Sequence, residues 1–156
     1  MRTKGSTFLY EEERNEDLMR CFQEKVSNSS MLVVSDIFNE VVNSPSARFW
    51  VSERRATVII SDMMRGRDAL RGMKPQKKEM YMEIFHRTMK KIREGAKDTL
   101  YDIVSSVVCS PAPKFYLTPD SAKIIYYRCR NAWYDRKRRS AALHANLAQL
   151  WKETYR

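Results

Sequence analysis

The chain of 156 residues is 43% apolar and 31% charged, enough for one ordinary domain or two very small ones, and too apolar for global disorder. Its 4 Gly and 5 Pro are too few for a turn-rich all-β chain, and no apolar run approaches the ~18 residues of a membrane span. The 29 basic and 19 acidic residues give a net charge of +10, unevenly placed: residues 1–44 carry 5 basic and 8 acidic groups, residues 45–156 carry 24 and 11. Such a field attracts polyanions, nucleic acid foremost, with an acidic protein surface as the alternative.

In chain order, residues 1–15 read as an acidic arm, irregular or helical only from Tyr10, in which Met1-Arg2-Thr3-Lys4-Gly5 leads to Glu11-Glu12-Glu13. No apolar signal segment is visible there, so a cytoplasmic setting is expected. Residues 16–66 form a first repeat and 79–131 a second. Asp36-Ile37, Val41-Val42, Ser44-Pro45, Phe49, Ala56 and Ile59 recur 66 residues later as Asp102-Ile103, Val107-Val108, Ser110-Pro111, Phe115, Ala122 and Ile125. Nine of thirty positions are identical across 36–65 and 102–131, without a gap.

Each repeat predicts three helices. The first carries the stripe Leu18, Met19, Phe22 and Val26, echoed by Ile84, Phe85 and Ile92. The second begins after Ser29-Ser30 or at Asp98, both acceptable N-caps, and stops before Pro45 or Pro111. A short extended stretch follows, and the third helix starts at Ser52 or Thr118, the latter with Pro119 at the first helical position. Between the repeats lies a basic linker, 67–78, punctuated by Gly72 and Pro75. Residues 132–156 contain no Gly or Pro and predict a basic C-terminal helix, either separate or prolonging the third. The expected fold is therefore all-α: two tandem helix-turn-helix-like three-helix repeats with a basic C-terminal helix.

A basic third helix is the element that enters the major groove in helix-turn-helix proteins. The candidate nucleic-acid contacts are Arg48, Arg54 and Arg55 in the first repeat, and Lys114, Lys123, Arg128 and Arg130 in the second. Arg136, Lys137, Arg138 and Arg139 follow them, with Tyr126, Tyr127, Trp133 and Tyr134 interleaved for stacking. The connection between second and third helices, about eight residues, is longer than the usual 3–4 residue turn. DNA is expected over RNA as partner. The alternative is a non-catalytic assembly or adaptor subunit that binds an acidic protein or a ribonucleoprotein.

Enzyme chemistry finds no footing. There is no Gly-rich phosphate loop, paired-histidine motif or Gly-x-Ser-x-Gly elbow, and nothing singles out Tyr81, Tyr101 or Tyr116 as a strand-transfer nucleophile. Cys21, Cys109 and Cys129 are scattered, as are His86 and His144, so neither a disulfide framework nor a metal or other cofactor is expected.

The pattern Pro45-x-x-Arg48-Phe49-Trp50-Val51-Ser52, repeated as Pro111-x-x-Lys114-Phe115-Tyr116-Leu117-Thr118, precedes a helix bearing Ala56 and Ile59, or Ala122 and Ile125. Over residues 36–131 this resembles an uncharacterised group of small basic proteins from gut anaerobes and their mobile elements. The resemblance implies a mobile-element or phage setting for a regulator or accessory factor. It implies no activity and no site residue.

Overall fold

The structure, a computed structural model, describes residues 5–28 and 34–154. It is all-α, with six helices: α1 (Gly5–Asn28), α2 (Val34–Val42), α3 (Glu53–Met64), α4 (Pro75–Arg93), α5 (Leu100–Val108) and α6 (Pro119–Thr154). Local chemistry sets most boundaries. The Ser52 hydroxyl accepts from the Arg55 N–H at 3.2 Å to cap α3, and Thr118 accepts from the Ser121 N–H at 3.1 Å ahead of Pro119. Thr99, one residue past the expected Asp98, caps α5 by accepting from the Asp102 N–H at 3.2 Å. The Ser29-Ser30 cap expected for the second helix lies outside the described residues. After α3 the chain turns at Gly66, whose φ of 73° suits a residue without Cβ.

One segment differs from the sequence reading, and of the two alternatives given for another one is observed. The acidic leader is helical from Gly5 rather than irregular or helical only from Tyr10. No glycine or proline interrupts it before Asn28, and Tyr10 ties it down by donating to Glu53 Oε2 at 2.9 Å. The C-terminal basic segment is not a separate helix but the continuation of α6, which runs unbroken for 36 residues. No residue between Asp120 and Thr154 forces a stop.

The helices that pack together are not the three helices of one repeat. One core joins α3 to α4 and α5 around Phe49, Ile60, Ile84, Val104 and Val108. The other joins α6 to α1 and α2 around Leu18, Phe38, Val41, Phe115 and Ala122. Each repeat has handed its third helix to the other.

The exchange is made by two extended segments that cross. Ser46 and Ala112, 66 positions apart, form an isolated antiparallel bridge: each N–H donates to the other's carbonyl, at 3.0 and 3.1 Å. Flanking bonds repeat the symmetry, Phe49 N–H to the Val108 carbonyl and Phe115 N–H to the Val42 carbonyl, both 3.0 Å. Side chains of an extended chain point alternately to opposite sides. Phe49 and Val51 therefore enter the α3–α4–α5 core while Trp50 between them packs on the other. Phe115 and Leu117 enter the α1–α2–α6 core while Tyr116 turns the opposite way, beside Phe49.

Candidate nucleic-acid interface

The expected cations fall into three structural groups. The first belongs to the crossing segments and serves packing. Arg48 has a side chain only 14% exposed; it pairs with Glu53 at 3.3 Å, donates to the Phe49 and Val51 carbonyls, and lies 4.2 Å over the Tyr10 ring. Its counterpart Lys114 pairs with Glu79 and lies 5.7 Å from the Tyr116 ring centroid. Neither presents its charge to solvent as a free cation does.

The second group sits on α3, where Arg54 and Arg55 are exposed. Arg55 borders a cavity of about 540 Å³ between the start of α1, the start of α3 and the approach to α4. Arg14, Lys74 and Lys77 share that cavity with it, against the single carboxylate Glu11. Burial lowers the pKa of Arg14, the nearby Glu11 charge raising it in part. Sequence reading missed Arg14, Lys74 and Lys77 as a group. Their charges were visible, but their convergence depends on α3 leaving its own repeat to stand beside α4.

The third group lies along α6 and is the largest. The first part of this helix is anchored: Ala122 and Ile125 are buried, and Tyr126 meets Phe22 of α1 with ring centroids 4.1 Å apart. Beyond Cys129 every described residue is exposed. The 24 residues from 131 to 154 extend α6 by about 36 Å, and those up to Arg139 still border α1 across a groove. Over its whole length α6 carries eight cations against Asp120, Asp135 and Glu153.

Lys123, Arg128 and Arg130 come first on α6, then Arg136 to Arg139, which surround the helix because four consecutive residues span a full turn. Arg130 lies 5.9 Å from the Tyr127 ring and 5.7 Å from that of Tyr134, and Lys137 lies 4.0 Å over Trp133. Arg138 pairs with Asp135 at 2.5 Å. Arg128, Arg136 and Arg139 line one side of a groove between α6 and α1. The cations of α6 thus lie along one helix. Those of α3 lie along another, and the two helices do not touch.

Of the three tyrosines considered as nucleophiles, Tyr101 is exposed and the other two are not. Tyr81 and Tyr116 are buried, and burial pushes the Tyr116 hydroxyl up to about 12, with Glu83 and Glu79 adding to the effect. Among the described residues no His, Cys, Asp and Glu cluster is arranged to hold a metal ion. No described helix is long and apolar enough to cross a membrane. Comparison of the chain with protein-family models, with curated proteins and with solved structures finds no match to any of them.

Proposed function

We propose that the protein is a non-catalytic nucleic-acid-binding protein that grips duplex DNA with the exposed part of α6, as a regulator or accessory factor of a mobile element or phage. The observation that carries this reading is the exposed stretch of α6 beyond Cys129, bearing Arg130 and Arg136 to Arg139. An exposed helix has the diameter the major groove admits. Its guanidinium groups suit phosphate oxygens, and contacts of that type position a protein without reading sequence. Trp133 and Tyr134 sit where the helix still borders α1, and supply ring faces against sugar or bases.

The test is a titration of duplex DNA by fluorescence anisotropy across a salt series. Wild-type affinity should fall steeply with salt, with a log–log slope of about −0.9 per phosphate contact. Changing Arg136, Lys137, Arg138 and Arg139 together to Ala should flatten that slope by roughly 2 to 4 while leaving the fold intact. A wild-type titration with no binding at about 50 mM salt, or an unchanged slope in the variant, overturns the reading. Single-stranded DNA and duplex RNA run alongside test the preference for duplex DNA.

A further inference from the structure

A guanidinium partly withdrawn from water is disfavoured unless a negative charge accompanies it. Arg14 is such a group. It is half-buried, burial lowers its pKa, and its hydrogen bonds run to the neutral Asn15 amide oxygen, at 3.1 and 3.3 Å. Together with Arg55, Lys74 and Lys77 it lines the cavity of about 540 Å³ between α1, α3 and α4. None of the four has an ion-pair partner among the described residues, although Arg55 lies against the Tyr81 hydroxyl. Glu11 is the one carboxylate on the walls. Glu53, beside Ser52, is committed to Tyr10 at 2.9 Å and to Arg48 at 3.3 Å.

Helical spacing gathers these side chains. Tyr10, Glu11 and Arg14 share a face of α1, and Lys77, Met80 and Tyr81 share a face of α4. At the start of α4, the N-cap Lys74 offers no side-chain oxygen to the first N–H groups, and these carry the positive end of a 19-residue helix. Other walls of the cavity are aromatic or apolar, with Trp50, Met73 and Met80. The volume lies within the roughly 300–1,000 Å³ of small-molecule sites.

We propose that this cavity binds a nucleoside polyphosphate, its phosphates among Arg14, Arg55, Lys74 and Lys77 and its base against Trp50, Met73 and Met80. An inorganic anion would leave the apolar walls unused, and an apolar ligand would leave four cations unpaired. A nucleotide uses both. Four cations less one carboxylate match the charge of about −3 that a nucleoside diphosphate carries near pH 7. The site is built from α1, α3, α4 and the segment before α3, so it stands apart from the DNA reading, which rests on α6.

Isothermal titration calorimetry of the full chain with ADP tests it, at about 0.15 M salt, where attraction between exposed charges is screened beyond ~8 Å. The expected result is one site per chain with a Kd of about 100 µM or tighter, with pyrophosphate and adenosine each at least tenfold weaker. Arg14→Gln, Arg55→Ala and Lys77→Ala should each weaken ADP about tenfold or more, with near-UV circular dichroism unchanged. Lys78→Ala removes an adjacent cation that does not line the cavity, and should leave ADP affinity as it is. The change of Arg136 to Arg139 should also leave it unaltered, so this proposal and the DNA reading fail separately. No binding up to about 1 mM ADP, equal affinity for pyrophosphate, unchanged affinity in both Arg55→Ala and Lys77→Ala, or equal losses in Lys77→Ala and Lys78→Ala overturns the proposal. A 5′-phosphorylated oligonucleotide that displaces ADP and binds more tightly than it would overturn the proposal as well, by making a strand end the ligand.

Discussion

Phe49 and Tyr116 stack with ring centroids 5.9 Å apart and planes inclined by 19°, although one belongs to the first repeat and the other to the second. The pair marks where the two crossing segments meet inside the α3–α4–α5 core. Phe49 is fully buried there, and Arg87 of α4 places its guanidinium 5.1 Å from the Phe49 ring centroid.

Phe49→Ala should cost about 3–5 kcal/mol, the usual penalty for emptying a buried aromatic site. Exchange makes the location of the damage diagnostic. Hydrogen exchange read by mass spectrometry should show lost protection in α4 and α5, which belong to the other repeat, before α1 and α2. The reverse order would contradict the exchanged packing.

Arg48→Ala should behave as a packing variant. Its side chain holds Glu53, two backbone carbonyls and the Tyr10 ring, so removal should destabilise the fold by about 2 kcal/mol. DNA affinity measured well below the melting temperature should stay unchanged. The Arg136–Arg139 quadruple change should show the opposite pattern, with stability within about 0.5 kcal/mol and a flatter salt slope. An affinity loss in Arg48→Ala matching that of the quadruple variant would show that packing and binding are not separate.

Acid should loosen the contact between α1 and α3. Burial opposes ionisation of Glu53, but its own backbone N–H, the Tyr10 hydroxyl and the Arg48 charge together hold its carboxyl below the usual range. The unfolded chain therefore takes up this proton more readily than the folded one. The stabilisation is complete above the unfolded carboxylate value, about 4.3, and is lost as pH falls through the lower folded value. Urea unfolding followed from pH 7 to pH 3 should show a shallower decline for Glu53→Gln than for wild type. Parallel declines would remove Glu53 from the pH dependence.

Thr88 is fully buried in α4, and its hydroxyl has no hydrogen-bond partner among the described residues. In the other repeat its counterpart is Phe22, an apolar side chain. Thr88→Val, nearly equal in shape, should stabilise the protein by about 1 kcal/mol, a rise of some 2–4 °C in melting temperature. A lower melting temperature would mean that the hydroxyl is satisfied.

Periodicity and capping signals made the helical elements legible in the sequence, because apolar spacing and residues such as Ser52, Thr118 and Pro119 act over a few positions. The exchange was not legible. Ala56 and Ile59 show that α3 buries one face, but the same pattern in Ala122 and Ile125 makes the two docking sites nearly equivalent to a local reading. The alternation through Phe49, Trp50 and Val51 was the available hint: extended neighbours with large apolar side chains need a core on each side. At the candidate interface, Arg48 and Lys114 were singled out by charge alone, and only tertiary partners reveal that both are occupied.

The exchanged packing also sets an order of events at the ribosome. Everything from Phe49 to Tyr116, the whole α3–α4–α5 core, leaves the exit tunnel as one uninterrupted stretch and can close early. Leu18 of α1 and Phe38 of α2 emerge sooner still, yet their partners Ala122 and Ile125 are among the later residues made. During that interval an apolar face of α1 and α2 stands without its third wall, exposed as folding intermediates are to association with other chains.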